Sequence, residues 1–325
     1  MAPTVAPVSQ FEHVKFIGEG SFGFVSLVIK TQGIDKGTRY AMKYIEKQRE
    51  EDEENQNPHA IMDEIDTLQS LNNPHVVRLF YVFHTNNMIH MVMEHVEGCD
   101  LFDIITQNAR LPPKMVAFIS AQLIMAVDYL HSASVCHRDL KTENIILNCD
   151  GYVKLVDFGG AKFLPKDGDM KMHSLIGTPE YMAPEVFLRK GYTHMVDWWA
   201  LGACVFFMAA GRAMIDHDDE DFERNIVQNP IKLPKCNQGL TELLKKLLVK
   251  DPEKRAGGLA QLKGLKLFNF IDFEALEKQT MCAPFKVKVM DRAYCANNKE
   301  NLQLLGQCYD SEDFYDFDYV SPELL

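Results

Sequence analysis

The sequence lacks the features of a secreted, membrane-spanning or zinc-finger protein. Its eight cysteines are scattered singly, with no C-x-x-C pair, so we expect free thiols in a reducing compartment, the cytoplasm or alternatively the nucleus. The N-terminus has no basic and apolar leader, and residue 2 is Ala rather than Gly, so neither a secretory signal nor a myristoylation site is expected. No apolar run reaches membrane-spanning length, and we interpret the longest candidate, 198–211, as a buried helix.

Basic residues are also fewer than acidic ones, and the formal net charge of the 325 residues is −12. The acidic residues cluster at 50–55, 216–223 and 310–318. Such a chain is not expected to bind nucleic acid or an anionic membrane. The clusters suit either a basic partner or substrate, or simply a solvated surface.

Internal repeats and low-complexity tracts are absent, and the pattern of the chain changes once. Residues 11–95 are mostly strand-like, apart from a charged stretch at 46–57 and a helical segment that Pro58 opens. Long helices follow, notably 114–132. The pattern predicts an α+β chain with a small β-rich lobe, a joint at 96–99 and a larger helical lobe, followed by an irregular C-terminal segment.

The stretch GEGSFGFV at 18–25 places three glycines between two strand-like runs. Glycines let backbone N–H groups approach a polyphosphate, although a tight hairpin explains the same residues. A dinucleotide-binding Rossmann motif requires a helix directly afterwards, whereas VSLVIK continues as a strand. A Walker A motif is excluded because no G-K-[ST] follows.

Lys43 lies on the next strand-like segment, in YAMK, and Glu64 follows 21 residues later in the first helical segment. A lysine on an apolar strand can be a solvated edge residue. Held by an ion pair with Glu64, it would instead be positioned against phosphate oxygens.

The stretch HRDLKTEN at 137–144 crowds polar groups against a buried strand. Asp139 can accept a proton from an attacking hydroxyl, and Lys141 can neutralise a transferring phosphoryl group. Asn144 and, in DFG, Asp157 offer the hard oxygen ligands that suit Mg²⁺. In this order and spacing, these residues indicate phosphoryl transfer.

With APE at 183–185, Asp197 and Arg255, this set resembles the eukaryotic protein kinases across 11–273. The resemblance implies the bilobal kinase fold, with an extension at 1–10, an N-lobe at 11–95, a hinge at 96–99, a C-lobe at 100–273 and a tail at 274–325. It implies ATP and Mg²⁺ as cofactors, Asp197 as a brace of the catalytic loop, and a pairing of Glu185 with Arg255. The implied catalytic residues are Asp139, Lys141, Lys43, Asn144 and Asp157, with Asn144 and Asp157 as metal ligands. The implied ATP-binding residues are Gly18, Gly20, Ser21, Phe22, Gly23, Val25, Ala41, Lys43, Glu64, Met93, Glu94, Val96 and Ile146.

The resemblance further implies a Ser/Thr protein kinase, since Lys141 follows the catalytic Asp at the Ser/Thr spacing. A scaffold that keeps the fold without activity is the alternative. Arg138 precedes the catalytic Asp, so a phosphate at Ser174 is expected to order the activation loop, with Lys162 as a second cation. Thr178 is expected to hydrogen-bond Asp139 and Lys141.

The segments GTPEYMAPEV and DWWALG are similar to the corresponding segments of AGC-group kinases, most of all the cyclic-nucleotide-dependent ones. By that resemblance, Asp100 and Glu143 would recognise basic residues before the target, and Thr178 would also bind substrate. Phe207 stands where an acid is usual, which puts a second basic contact in doubt. Thr142 and Gly160 are further departures, and the preference between Ser and Thr stays open.

The C-terminal tail contains APF at 283–285 and FYDFDY at 314–319. By resemblance, Phe314 and Phe317 would dock in a small-lobe pocket, with Asp318 at the usual phosphosite. The alternative is a segment that packs at the nucleotide mouth. We expect protein or peptide substrates, an upstream activating kinase, a regulatory subunit and a monomeric catalytic unit.

Overall fold

A computed structural model of the chain describes residues 8–20, 23–47, 58–85, 87–164, 171–287 and 319–324. These residues form two compact units. The described residues within 8–69, 77–96 and 319–324 belong to the first unit, and those within 70–76 and 97–287 belong to the second. The chain enters the second unit briefly at 70–76, returns to the first at 77–96, and passes to the second again at 97, within the predicted joint.

The first unit is built on an antiparallel sheet. Its strands are β1 (Phe11–Gly20), β2 (Gly23–Lys30), β3 (Arg39–Glu46), β4 (Leu79–His84), β5 (Met88–Glu94) and, late in the chain, β11 (Tyr319–Val320). The spatial order is β1-β2-β3-β5-β4-β11. Helix α1 (Pro58–Ser70) begins at the predicted proline.

The two faces of this sheet carry different side chains, because alternate residues of a strand point to opposite faces. One face carries an aromatic cluster formed by Phe11, Phe24, Tyr40, Tyr44, Tyr81 and Phe83, all buried. The rings of Phe24 and Tyr44 stack with centroids 4.6 Å apart. The other face carries Lys43 and the residues opposite it.

The end of the tail adds a strand to the edge of this sheet. Tyr319 and Val320 pair with Val82 and Tyr81 of β4, and Ser321 N donates to Phe80 O at 2.7 Å. Val320 is buried in the aromatic cluster. The predicted docking residues Phe314, Phe317 and Asp318 lie outside the described residues, as do Ser21 and Phe22 of the glycine stretch.

The second unit is mainly helical. Its helices are α2 (Leu101–Asn108), α3 (Pro113–Ser132), α4 (Pro184–Phe187), α5 (Met195–Ala210), α6 (Phe222–Val227), α7 (Gln238–Leu247), α8 (Leu259–Leu262) and α9 (Phe273–Glu277). Its short strands are β6 (Gly98–Asp100), β7 (Val135–Cys136), β8 (Ile145–Asn148), β9 (Val153–Leu155) and β10 (Lys162–Phe163). The α+β class predicted from the sequence is confirmed.

Helices α3 and α5 form the centre of the second unit. Helix α5 is apolar on all sides, and its residues from Val196 to Ala209 are buried, as a core helix requires. This confirms the buried helix expected at 198–211. By length and composition alone α3 is apolar enough to cross a membrane, but 72% of its most apolar window is buried within the unit. A buried core helix passes the same test, so this finding does not contradict the expectation that no segment spans a membrane.

Residues 70–76 and the tail depart from a simple division of the chain into consecutive lobes. Residues 70–76 lie with the second unit because Val76 forms a β-bridge with Leu155, and Leu155 N donates to His75 O at 2.8 Å. The predicted tail, 274–325, contributes to both units. In the second unit, the Phe285 ring meets Phe118 edge-on at 5.8 Å.

Gly23 is required where β2 packs beside β3. Its φ is 151°, and a Cβ there would lie 1.8 Å from Tyr44 O. We therefore expect Gly23→Ala to lower the free energy of unfolding by about 3 kcal/mol or more, since the strands would have to separate. Gly37→Ala is the matched control, because its φ is 89° but nothing lies within 4 Å of its Cβ.

Urea unfolding of the two variants measures this difference. Gly37→Ala should lose only about 1 kcal/mol, the cost of a left-handed alanine. Equal losses in the two variants would show that backbone conformation, rather than the close approach of Tyr44 O, explains the glycine.

Candidate active site

In the first unit, Lys43 and Glu64 form a buried ion pair. Lys43 Nζ lies 2.7 Å from Glu64 Oε1 and 2.9 Å from Oε2, and the two side chains are 9% and 3% exposed. Because a buried charge is costly without a partner, this pairing fixes the ammonium in one position. The predicted ion pair is confirmed, and a solvated edge position for Lys43 is excluded.

Residues predicted to surround adenine lie on the same face of the sheet as Lys43. Val25 is the cross-strand partner of Lys43, and Ala41 is the partner of both Leu27 and Met93. Ala41 and Lys43 are two residues apart on β3, so they share a face. Val25 and Ala41 are half-buried, as are Glu94 and Val96 at the end of β5. In the second unit, Ile146 is half-buried on β8.

The glycine stretch joins β1 to β2, with Gly18 opposite Val25 and Gly20 opposite Gly23. This is the strand context that the sequence predicted. The close approach of Gly23 to β3 gives that glycine a structural reason of its own, independent of any bound phosphate.

In the second unit, the Asp197 carboxylate of α5 holds the backbone of the catalytic loop. Its Oδ2 accepts from His137 N at 2.9 Å, and its Oδ1 accepts from Arg138 N at 2.9 Å. His131 Nε2 lies 2.8 Å from Oδ2. These bonds stabilise the positive φ of Arg138, which is 65°. The predicted brace is confirmed.

Burial and hydrogen bonding act on the Asp197 carboxyl in opposite directions. Burial alone raises its pKa, but the bond to His131, the charges of His131 and His137 and the backbone donor at His137 outweigh burial and lower the pKa to about 2. The carboxylate form is therefore the one that the loop stabilises.

Asp139 is held by donors from three directions. Thr178 N and Oγ1 donate to its Oδ1 at 2.9 and 2.8 Å, and Lys141 Nζ lies 3.0 Å from its Oδ2. Lys141 Nζ also donates to Thr178 Oγ1 at 3.0 Å, and Asn144 Nδ2 donates to Asp139 O at 3.0 Å. The predicted contacts of Thr178 with Asp139 and Lys141 are confirmed.

Asn144 and Asp157 are brought together by β8 and β9. Val156 N donates to Asn144 O at 2.9 Å. Asp157 is the residue after Val156, so this bond brings its backbone close to that of Asn144. Because Asn144 donates its Nδ2 to a backbone carbonyl, its amide orientation is settled and Oδ1 is the atom that can ligate a cation.

Asp157 is exposed and has a φ of 60°, a left-handed conformation that aspartate tolerates. Its neighbour Phe158 is buried and contacts the His137 ring at 4.8 Å, which anchors the segment. Asn144 and Asp157 thus offer one amide and one carboxylate oxygen donor, a set that fits Mg²⁺ completed by phosphates and water.

Gly160, a departure from the family pattern, lies close to the catalytic loop. A Cβ there would lie 3.3 Å from both Asp139 Cβ and His137 O. A bulkier residue would require these atoms to shift by a few tenths of an ångström, so the glycine permits the observed close packing.

Ser174 lies against Arg138, as the sequence predicted. Arg138 Nη1 donates to Ser174 Oγ at 2.8 Å, while its Nε donates to Gly160 O at 2.6 Å. Tyr192 OH donates to Ser174 O at 2.9 Å and lies 3.3 Å from its Oγ. The role of Tyr192 was missed, since nothing in the local sequence links it to Ser174. Lys162 is exposed on β10, and its role as a second cation stays a prediction.

A second buried ion pair stabilises the segment that follows Thr178. Arg255 Nη1 and Nη2 donate to Glu185 Oε1 and Oε2 at 2.7 and 2.9 Å. Arg255 Nε donates to Val249 O at 2.9 Å, and the guanidinium lies over the Trp199 ring. This two-point geometry is the strong form of such a pair, and the predicted pairing is confirmed.

The two acids predicted to bind substrate differ in exposure. Asp100 is half-buried and caps α2, because its Oδ1 accepts from Asp103 N at 2.8 Å. Glu143 is exposed, and its Oε2 accepts from Thr142 Oγ1 at 2.9 Å. Thr142 Oγ1 lies 2.7 Å from Tyr181 OH, so Thr142 links the catalytic loop to the segment after Thr178.

The Asp197 contacts predict a pH dependence of stability. The folded-state pKa of about 2 lies below the usual aspartate value of about 3.9. The corresponding stability, about 2 kcal/mol by linkage, is fully present above pH about 4 and is lost as pH falls towards 2.

Asp197→Asn should therefore lower the free energy of unfolding by about 2 kcal/mol at pH 7, with a smaller difference from the parent at pH 3. Urea titrations at the two pH values measure this. Asp150→Asn, at an exposed turn position, is the control. A difference that stays constant with pH would contradict the assigned cause.

The sequence is similar to those of known protein kinases. The model of the protein kinase domain family matches residues 11–268. The chain is 36% identical to ribosomal protein S6 kinase alpha-6 of Danio rerio over 86% of this chain and 38% of that protein. It is 35% identical to ribosomal protein S6 kinase alpha-2 of Homo sapiens over 87% and 39%.

Protein kinase C zeta type of Oryctolagus cuniculus is 31% identical over 98% of this chain and 57% of that protein. The chain thus spans about 40% of the S6 kinases' length and just over half of the protein kinase C. These relatives support the AGC resemblance, while the likeness to cyclic-nucleotide-dependent kinases stays a prediction. The chain belongs to the protein kinase domain family, with the bilobal fold that the family implies.

Proposed function

We propose that this chain transfers the γ-phosphate of ATP to Ser or Thr hydroxyls of protein substrates. The observation that carries the proposal is the position of Asp139, whose carboxylate is held by Thr178 and Lys141 beside Asn144. Each residue that phosphoryl transfer needs from the protein is present in the sequence. Ser/Thr kinase relatives also support it.

Asp139 is the proton acceptor in this proposal. Its neighbours orient the carboxylate so that it can accept the proton of an attacking hydroxyl, and Lys141 Nζ supplies positive charge as negative charge spreads over the transferring group. Lys141 contacts both Asp139 and Thr178, so one lysine couples the position of the acceptor to that of the segment expected to bind substrate.

Protein kinases in general use ATP and Mg²⁺. Asn144 Oδ1 and the Asp157 carboxylate would hold the metal, which when bound supplies charge to offset the phosphate oxygens. In the first unit, Lys43 would pair with phosphate oxygens, because the ion pair with Glu64 holds its ammonium in place. Val25, Ala41 and Met93 would contribute the apolar surface for adenine.

Control by phosphorylation of Ser174 is part of the proposal. Arg138 already donates to Ser174 Oγ, so a phosphate there would replace a bond to a neutral hydroxyl with an ion pair between guanidinium and phosphate. Because Arg138 N is also bonded to Asp197, a stronger bond would tie the activation segment to the braced catalytic loop.

The proposed substrates carry basic residues before the target, because Asp100 and Glu143 are acids near the catalytic loop. Partners would be an upstream kinase and a regulatory subunit acting on a monomeric catalytic unit. The free cysteines among the described residues, such as Cys149 and Cys282, support a reducing cytoplasmic setting. The pairing of β11 with β4 favours tail docking on the first unit over a tether at the nucleotide mouth.

Substitution of the two acids tests the reaction. Asp139→Asn should lower the rate of phosphate transfer by about 10²-fold or more, because the proton acceptor is lost while the shape is kept. Asp157→Ala should abolish transfer and also weaken Mg²⁺-dependent ATP binding. Transfer of radiolabelled phosphate to a peptide and fluorescence titration with ATP measure the two effects.

Asp150→Asn, exposed on the turn between β8 and β9, should behave as the parent protein in both assays. Transfer at the parent rate by Asp139→Asn would show that the mechanism is wrong. A parent protein that binds ATP but transfers no phosphate would instead favour the scaffold alternative.

Loop control is tested at Ser174. Ser174→Ala should lower the transfer rate at least about tenfold, the equivalent of one charge-assisted hydrogen bond, and phosphatase treatment of protein shown by mass spectrometry to carry the phosphate should do the same. Ser132→Ala, another exposed serine of the second unit, is the control. Equal transfer rates before and after phosphatase treatment would rule out regulation by phosphorylation of Ser174.

A further inference from the structure

A threonine hydroxyl joins two segments of the second unit at the catalytic loop. Thr142 is the first residue of the turn Thr142–Asn144 and is fully buried. Its Oγ1 lies 2.9 Å from Glu143 Oε2 and 2.7 Å from the hydroxyl of Tyr181, in the segment that precedes α4. Tyr181 OH lies 3.4 Å from the same Glu143 oxygen, so the three polar groups form one cluster.

Only one arrangement of protons makes both short contacts of the cluster hydrogen bonds. A carboxylate only accepts, and a hydroxyl has a single proton to donate. Thr142 Oγ1 therefore donates to Glu143 Oε2 and accepts from Tyr181 OH. Burial raises the pKa of the Tyr181 hydroxyl, and the charges of Cys204 and Glu143 raise it further, so this hydroxyl keeps the proton that it donates.

The cluster holds one oxygen of an exposed carboxylate. The contacts of Glu143 with Thr142 and Tyr181 are both made by Oε2, so Oε1 can accept from a ligand while those contacts are kept. A free glutamate side chain loses rotamer freedom when it binds a partner. A glutamate that is already held loses less, and pre-organisation of this kind strengthens binding without a new contact.

Two departures from the family pattern make this cluster a feature of the present chain. Thr142 stands where proline is usual, and proline has no hydroxyl to make either bond. Phe207 stands where an acid is usual, so the expected recognition of basic residues is left to Asp100 and Glu143. Asp100 Oδ1 already caps α2. The orientation of Glu143 therefore has a large influence on how a basic side chain is bound.

We propose that the Thr142 hydroxyl is a positioning group for substrate recognition, which holds Glu143 Oε2 so that Oε1 binds one arginine side chain before the target hydroxyl. The proposal rests on the function proposed above and deepens it, because it assigns the preference for a basic residue to one oriented carboxylate. Thr142 touches no substrate itself and acts through Glu143. Tyr181 secures the threonine from the other side, so the preference also depends on the segment that precedes α4.

A peptide series first identifies the substrate position that Glu143 recognises. Each peptide carries one serine, and arginine or alanine is placed in turn at each of the five positions before it. The readout is the ratio of kcat/KM for the arginine peptide to kcat/KM for the alanine peptide, measured by phosphate transfer with the full chain. At one position the parent ratio should be about 10² and should fall to about one in Glu143→Gln, because an ion pair is lost.

Variants at Thr142 test the positioning role at that position. Thr142→Val keeps a branched side chain but removes the hydroxyl, so the ratio should fall about tenfold, the equivalent of one hydrogen bond. Thr142→Ser keeps the hydroxyl and should restore most of the ratio. The loss should appear more in KM of the arginine peptide than in kcat, because the contact is made before the reaction as well as during it.

Two further variants control for structural effects. Thr241→Val is the matched control, because the half-buried Thr241 on α7 donates its Oγ1 proton to Asn237 O at 3.0 Å, and it should keep the parent ratio. The double variant Thr142→Val/Glu143→Gln should have the same ratio as Glu143→Gln alone, since the threonine acts through the acid. Each ratio compares two peptides on one protein, so partial loss of folded enzyme cannot imitate the result.

The outcomes separate this inference from the proposed function. An unchanged ratio in Thr142→Val, even with slower transfer to both peptides, would overturn the positioning role alone, as would a ratio in Thr142→Ser no higher than in Thr142→Val. If Glu143→Gln alters the ratio at no position, the proposed substrate contact of Glu143 falls together with this inference. No transfer to any peptide would overturn the proposed function as well.

Discussion

The buried carboxylate of Asp197 is the contact on which the arrangement of the catalytic loop depends. It accepts from two consecutive backbone N–H groups, those of His137 and Arg138, and from the His131 ring. A backbone at positive φ is unfavourable for arginine, so the loop needs these bonds to keep Arg138 where it is. Because α5 is buried along almost its whole length, packing around the helix holds this carboxylate in position.

Arg138 and the residue after it connect this part of the backbone to two other segments. Its side chain reaches Gly160 O and Ser174 Oγ, while the next residue, Asp139, meets Thr178. The residue after DFG, the activation segment and the segment that follows it therefore all converge on one short piece of backbone. A change in charge at Ser174 acts on the same arginine whose main chain Asp197 holds.

In the first unit, the division of the sheet into two faces plays the equivalent role. The aromatic cluster and the end of the tail cover one face of the sheet. The alternate residues of β3, including Ala41 and Lys43, point to the other face. The strand register, rather than any single contact, aligns Val25, Lys43 and Ala41 on that face. Glu64 then fixes the lysine by an ion pair.

Much of the fold and of the site could be predicted from sequence because the relevant information is local. Strand alternation, the proline that opens α1 and the apolar run of α5 each lie within one segment, and the motifs name Lys43, Asp139, Asn144 and Asp157 directly. The contacts of Thr178 and the pairing of Glu185 with Arg255 were also predicted, but only through a family resemblance. They join residues far apart in the chain, and spacing alone does not specify them.

The sequence by itself determined the class of fold, the glycine stretch and the residue types needed for phosphoryl transfer. Only the tertiary structure decided that Tyr192 meets Ser174, that residues 70–76 pack with the second unit, that the tail ends as a strand on β4, and that Thr142 meets Tyr181. The physical reason is that a residue's type sets which interactions it can make, whereas its partner is decided by which distant segments the packed core brings within a few ångströms.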